Sequence, residues 1–238
     1  MRILAFETSA KAASVALLDE GKLIGEYYQN CGQTHSRTLM KMAQDLLDNC
    51  GMIVKDLTAV ACAAGPGSFT GVRIGVAAAK GLAWGAEKPC VGVSTLEAMA
   101  QQAAEFDGLI CCAMDARREQ VYNALFTCQD GVLTRCTEDR AISMEELEKE
   151  LKITEKPKIM VGDGAQLCYN TFGKSLSGCI CAPEHLIMQR ASGVALTAQR
   201  MLQTGAEFNG AELVPNYLRL SQAERERNER LQKSKGEV

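Results

Sequence analysis

Ala64-Gly65-Pro66-Gly67-Ser68-Phe69-Thr70-Gly71-Val72-Arg73 is the point at which this chain changes from one periodicity to another. Before it, Leu57 to Ala64 is a continuous apolar run of strand length. After it, Val72, Ile74, Val76, Ala77, Ala78, Ala79, Leu82 and Ala83 surround almost the whole circumference of a helix ending near Gly85. Arg73 and Lys80, side by side, are its only charges. A strand, a glycine loop and a helix can together cradle an anion on backbone amides. Here no Gly-Lys-Ser/Thr closes the loop, so it is not a Walker A loop, and the dinucleotide spacing also fails. A structural turn is the default reading. Gly71, Gly75 and Gly81 each weaken the helix by roughly 1 kcal/mol relative to alanine. Close packing must compensate, and a partner helix is one natural source of cover.

Toward the N-terminus, Ile3 to Thr8 and Ser14 to Leu18 read as strands around a small-residue turn. Asp19-Glu20-Gly21-Lys22 is a hairpin turn into a third strand, Leu23 to Tyr28. Three antiparallel strands whose first turn is rich in small residues open many actin-like folds. The helix from about Ser36 to Cys50 gathers Leu39, Met40, Met42, Ala43, Leu46, Leu47 and Cys50 on one arc of roughly 160°. That is wider than the roughly 100° stripe that covers one core. Toward the C-terminus come a strand at 90–93, a helix from Thr95 to Ala104, and a restarted strand–turn–strand pattern from Leu109. The repeat about 105 residues on predicts an α/β protein of two lobes, each a mixed sheet with flanking helices. The expected division is 1–104, then 105–220 with late helices that pack back on the first lobe, then a charged tail at 221–238. The mixed signs of Gln222 to Lys235 predict a solvated helix or fraying end.

The totals exclude several functions. A net charge of -3 leaves no electrostatic footprint for independent nucleic-acid binding. There are eleven cysteines, an odd number, and no signal peptide is expected, because Met1-Arg2 reads straight into an apolar strand. Free thiols in a reducing cytoplasm are expected. No apolar run reaches the roughly 20 residues of a membrane span. No Cys-x-x-Cys pair exists, and His35 and His185 are far apart, so no metal is expected. His35 reads as a capping or polar residue before its helix, and His185 as a loop residue.

Candidate phosphate-contacting groups are Glu7, Thr8, Ser9, Asp115 and Gly162, each with a plain turn as the alternative. Asp115-Ala116-Arg117-Arg118 is more pointed, since a carboxylate and two guanidiniums after a strand suit a phosphate or a cross-domain ion pair. A kinase would need a placed acidic base and a magnesium-binding set. Nothing pairs convincingly with Glu7 or Asp115, so no catalytic residue is expected.

Taken together, these segments resemble the TsaB family, the dimerisation subunit of the bacterial tRNA threonylcarbamoyladenosine synthase. The matching residues are Ile3 to Ser9, Gly65 to Arg73, Val93-Ser94-Thr95-Leu96-Glu97, Asp115 to Arg118 with Val121-Tyr122, and Pro215-Asn216-Tyr217-Leu218-Arg219. The glycine-rich block is shared in part with the catalytic paralogue TsaD, whose His-x-x-x-His metal pair is absent here, since Leu39 stands four residues after His35. The resemblance implies two actin-like (ASKHA, ribonuclease H-like) lobes and a non-catalytic scaffold in the cytoplasm. It implies a four-helix bundle with TsaD built from the helices near 36–50 and 71–85. The expected interface is Leu39, Met40, Met42, Ala43, Leu46, Leu47, Val72, Arg73, Val76, Ala79, Lys80 and Ala83. On that reading Val76→Glu abolishes partner binding while the chain stays folded. The resemblance implies a vestigial nucleotide pocket, so Glu7, Ser9 and Gly162 are not a working ATP site; a TsaE ATPase completes the assembly, ATP and metal belong to partner subunits, and tRNA is met through the complex. The modified base is the adenosine beside the anticodon in tRNAs that read codons beginning with adenine. Alone, the chain is expected to homodimerise. The alternatives are an independent ATP-dependent small-molecule kinase of the same fold and a metalloprotease, against which the missing histidine pair counts.

Overall fold

The computed structural model describes residues 1–205 and 208–219. The charged segment at 221–238, with its expected solvated helix, lies outside the described residues. The chain opens with β1 (Arg2–Glu7), β2 (Ala13–Asp19) and β3 (Lys22–Gln29), an antiparallel meander. Helix α1 (His35–Asn49) follows, then a single 3-10 turn, β4 (Ala59–Gly65), α2 (Phe69–Gly85) and β5 (Cys90–Ser94). The first sheet has the order β3-β2-β1-β4-β5, with β4 parallel to both β1 and β5.

Period-two alternation splits this sheet between two cores. Leu4, Phe6, Val15 and Leu17 face α1 and α2, while Ile3, Ala5, Ala16 and Leu18 face the other way. The second face is covered by α3 (Thr95–Gln102) and by α7 (Ala191–Gln203), the last helix of the described chain. Alanines on both sides, Ala5, Ala61 and Ala63 against Ala191, Ala195 and Ala198, form that contact with small residues.

The second sheet is built from β6 (Gly108–Asp115), β7 (Gln120–Gln129), β8 (Val132–Arg135), β9 (Arg140–Ser143), β10 (Lys158–Val161) and β11 (Cys179–Cys181). Its order is β11-β10-β6-β7-β8, with β9 paired to β7. Helices α4 (Met144–Lys152) and α5 (Ala165–Thr171) cover it, and α6 (Glu184–Ile187) is a single turn before α7. Ser143 caps α4 in a full capping box with Glu146. All eleven cysteines are free thiols, and burial pushes Cys62, Cys111 and Cys112 well above the usual thiol range. No described helix is long and apolar enough to cross a membrane.

Helix α7 lacks a side-chain cap of its own, because Arg190 stands at the capping position. The first sheet supplies the cap instead. Ser14 Oγ accepts from Ala191 N at 2.7 Å, and Glu26 Oε1 accepts from Ser192 N at 2.9 Å. Glu26 also pairs with Arg190 at 3.2 Å, and Arg190 lies over the Tyr28 ring. Glu26→Ala is therefore expected to cost about 2 kcal/mol, the sum of a lost cap and a half-buried guanidinium left without its carboxylate. Urea unfolding of the variant checks this, and Glu26→Gln should recover part of the loss.

Candidate functional site

The turn after β1 is clamped onto the start of α2. Thr8 Oγ1 donates to Gly71 O at 2.8 Å, and Ser68 N donates to Ser9 O at 2.6 Å. Ser68 Oγ in turn accepts from Gly71 N at 3.3 Å and caps the helix. A Cβ on Gly71 would collide with Thr8 O, and one on Gly75 with Thr8 Oγ1. Gly71 and Gly75 therefore let a β-turn lie directly on a helix one residue away from its first turn. Their role is close approach, and two of the amides there, Ser68 N and Gly71 N, are engaged with the chain itself.

Glu7, Thr8 and Ser9 are each only 1% exposed. Glu7 Oε1 accepts from Ser9 N at 2.5 Å, while Glu7 Oε2 and Ser9 Oγ find no partner. Burial pushes the Glu7 carboxyl up to about 7, partly opposed by its bonds to Ser9, with Asp163 adding like-charge repulsion. Asp163 is raised as well, again mainly by burial, though Gln189 Nε2 donates to it at 2.7 Å. Gly162 is packed against Ala113 O and donates its N–H to Ile187 O at 2.7 Å. His35 begins α1 and bonds Ala10 O through Nε2 at 2.9 Å, so it fastens the helix to the same turn. Among the described residues, no group of three or more His, Cys, Asp or Glu is placed to hold a metal ion.

Helix α2 has four distinct sides, which explains its apolar circumference. Val72, Val76, Ala79 and Ala83 face the core, and Gly71 and Gly75 face the β1 turn. The third side, the charged one, is covered by the segment 208–219. Arg73 stacks on Phe69 at 3.8 Å, Phe69 stacks on Tyr217 at 4.6 Å, and Arg73 Nε donates to Tyr217 Oη at 2.7 Å. Lys80 Nζ donates to Leu213 O at 2.9 Å and Ala211 O at 3.3 Å. Asn216 N donates to Ala64 O at 2.7 Å, and Arg219 Nη1 donates to Ala116 O at 2.5 Å, on the loop after β6. The strap thus runs along α2 and ends on the other lobe.

Most residues of the expected interface also serve the chain's own core. Leu39, Met42, Ala43, Leu46, Leu47, Val72, Val76, Ala79 and Ala83 all lie in the chain's own core. Val76 is 5% exposed, so Val76→Glu would place a carboxylate in that core and unfold the lobe, whatever happens to a partner. Arg73 and Lys80 hold the strap, so they are not a bare wet edge. Of the twelve, Met40 remains outward, 45% exposed. The wide apolar arc of α1 is consumed by its own sheet and by α2.

The fourth side of α2 is the one that sequence reasoning missed. Ile74, Ala77, Ala78, Gly81, Trp84 and Gly85 fall on one arc of roughly 120° at 100° per residue, on which Ala77, Gly81, Trp84 and Gly85 are exposed while Ile74 and Ala78 are half-buried against the core. Trp84, the only tryptophan, is 88% exposed, and a Cβ at Gly81 or Gly85 would meet nothing within 4 Å. Beside it runs an open groove of about 1140 Å³ between Trp84, Pro89 and Phe208. A helix-breaking residue with no packing reason inside the chain was the available signal.

Between the two sheets, Ser94 caps α3 and donates to Asp139 at 2.6 Å. Glu97 pairs with Arg135 at 2.7 Å and with Arg200 of α7, tying three elements together. The loop after β6 is held differently. Arg117, Arg118 and Glu119 adopt φ of 65°, 55° and 58°, three consecutive left-handed residues without a glycine. Each costs about 1–2 kcal/mol. Asp115 accepts from Arg117 N at 2.7 Å and pairs with its guanidinium at 3.1 Å.

Comparison with known proteins agrees with this architecture. Residues 29–227 match the family model described as TsaD: tRNA N6-adenosine threonylcarbamoyltransferase. The tRNA threonylcarbamoyladenosine biosynthesis protein TsaB of Bacillus subtilis (strain 168) is 37% identical over 229 residues, covering 94% of this chain and 96% of that one. The Escherichia coli (strain K12) TsaB is 35% identical over 222 residues, covering 92% and 95%. Among solved structures, YeaZ from Pseudomonas aeruginosa superposes with a TM-score of 0.77 at 27% identity, covering 91% of this chain and 99% of that one. Component A of (R)-2-hydroxyglutaryl-CoA dehydratase from Acidaminococcus fermentans, at 12% identity and a TM-score of 0.52, shares the fold alone. The two sheets with their flanking helices are actin-like lobes, as the sequence led us to expect. With relatives matched at this identity over nearly its whole length, the chain belongs to the TsaB family.

Proposed function

We propose that this chain is a non-catalytic subunit of a tRNA threonylcarbamoylation complex, and that it works by binding and ordering a catalytic TsaD subunit. The relatives named for tRNA threonylcarbamoyladenosine biosynthesis support the pathway. On this reading the modified base is the adenosine beside the anticodon in tRNAs reading codons that begin with adenine. ATP and metal are held by partner subunits, TsaE among them, and tRNA arrives through the complex.

The observation that carries the reading is the outward side of α2. Gly81 and Gly85 weaken the helix, and nothing among the described residues packs against them. They suit the close approach of another helix, and the exposed Trp84 on the same side of α2 adds apolar area, as does the exposed Met40 on α1. The partner surface is accordingly proposed on Met40, Ile74, Ala77, Ala78, Gly81 and Trp84.

Gly81 separates folding from partnership. Gly81→Ala is expected to stabilise the isolated chain by about 1 kcal/mol, because helix propensity improves and no atom is displaced. Gly81→Arg should leave the chain folded, lower TsaD capture at least 100-fold, and abolish tRNA modification by the reconstituted complex, since a buried unpaired guanidinium costs several kcal/mol. Co-purification with tagged TsaD, alongside a thermal melt, reads both quantities. Undiminished capture by a folded Gly81→Arg chain would remove this surface from the proposal. The isolated wild type should also self-associate through the same arc, and light scattering should find Gly81→Arg monomeric.

A further inference from the structure

Resting on that reading, we infer that the loop Ala116–Glu119 contacts the phosphate backbone of the RNA substrate through Arg117 and Arg118. The loop closes β6 onto β7 with Arg117, Arg118 and Glu119 all in the left-handed region, where glycine or asparagine would sit more easily. It is held there by Ala116 N donating to Gln120 O, by Met144 N donating to Glu119 O, and by the Arg117–Asp115 pair. The strap adds Arg219 Nη1 on Ala116 O, so the loop is fixed from both lobes. What this scaffolding displays is two guanidiniums. Arg117 is 86% exposed, and Arg118, also exposed, makes no ion pair among the described residues.

A fork of N–H donors on a rigid support matches phosphate oxygens. A protein-binding hot spot would combine arginine with buried aromatic or aliphatic anchors. No large apolar side chain between Asp115 and Asn123 is exposed, so the loop offers charge without such an anchor. The net charge of -3 means that this contact adds to RNA held mainly elsewhere. Its role is to position RNA already brought by the complex.

The test uses the assembled complex and full-length tRNA, titrated in potassium chloride from low to physiological salt. For Arg117→Ala/Arg118→Ala we expect about tenfold weaker tRNA binding at low salt and a salt slope smaller by about 1–2, with TsaD capture unchanged. Arg117→Lys/Arg118→Lys should recover part of the slope. Arg118→Gly, which suits the left-handed backbone, should keep or raise the melting temperature while weakening tRNA binding. Identical salt curves for wild type and variants overturn the inference. So does weaker tRNA binding that merely follows lost capture of a protein partner, which would assign the loop to an acidic protein surface. If the chain fails to join any complex, the proposed function falls. The loop inference, which needs RNA brought by the complex, then falls with it, whereas a complex that assembles with unchanged salt curves overturns the loop inference alone.

Discussion

Gly71→Ala is expected to destabilise the chain by about 3 kcal/mol, although Gly81→Ala, ten residues along the same helix, stabilises it. The added methyl at 71 would occupy the position of Thr8 O, which is backbone and cannot rotate aside. Overpacking of this kind costs about 1–3 kcal/mol. Moving the turn would also strain two bonds at that point, Thr8 Oγ1 to Gly71 O and Gly71 N to Ser68 Oγ, each worth about 1 kcal/mol. Helix propensity alone would favour alanine at both sites by about 1 kcal/mol. Denaturant midpoints of the two variants, measured together, therefore change in opposite directions. A neutral Gly71→Ala would show that the β1 turn does not lie on α2 as described. The effect should be visible without any partner, because both sides of the contact belong to this chain.

Glu7→Gln should raise stability by about 3 kcal/mol at pH 8 and by little at pH 4. The folded chain holds this carboxyl near 7 against an ordinary value of 4.5, chiefly because it is buried. A raised carboxyl binds its proton more tightly folded than unfolded. Its neutral form is thus fully compatible with folding below pH 4.5, stability drains away as pH rises from 4.5 to 7, and the loss is constant above that. Two to three pH units at about 1.4 kcal/mol each set the size. Glutamine is neutral throughout, its oxygen can still accept from Ser9 N, and its amide has the unpartnered Ser9 Oγ within the same turn to address. Stability curves of both proteins between pH 4 and 9 should converge in acid and separate by pH 8. Parallel curves would mean that Glu7 is ionised at neutral pH and meets a compensating charge.

Much of the fold was legible because its signals are local. The strands beginning near Ile3 and Ser14 and the hairpin turn at Asp19-Glu20-Gly21-Lys22 follow from hydrophobic runs and turn chemistry over a few residues. The strand Cys179–Cys181 and the turn Glu184–Ile187 escaped, because three or four residues carry too few periods to register. The candidate site was less legible. A wheel reports how much of a helix is apolar but not what covers each part. On α1 the wide arc suggested a partner and is instead filled by the sheet. On α2 the truly uncovered part holds glycine and alanine, which a hydrophobicity reading passes over.

By itself, the sequence determined the family, the two-lobed α/β architecture, and the importance of the Gly65–Arg73 block, since each depends on residue types at fixed spacing. Only the tertiary structure decided what that block does. Thr8 and Tyr217 are 63 and 144 residues from their partners Gly71 and Arg73, and contacts across such distances leave no local periodicity to read. They divide one helix into a core side, a glycine side, a strapped side and an open side. The division arises because burial is a property of what packs against a residue, and that is fixed only when the whole chain has closed.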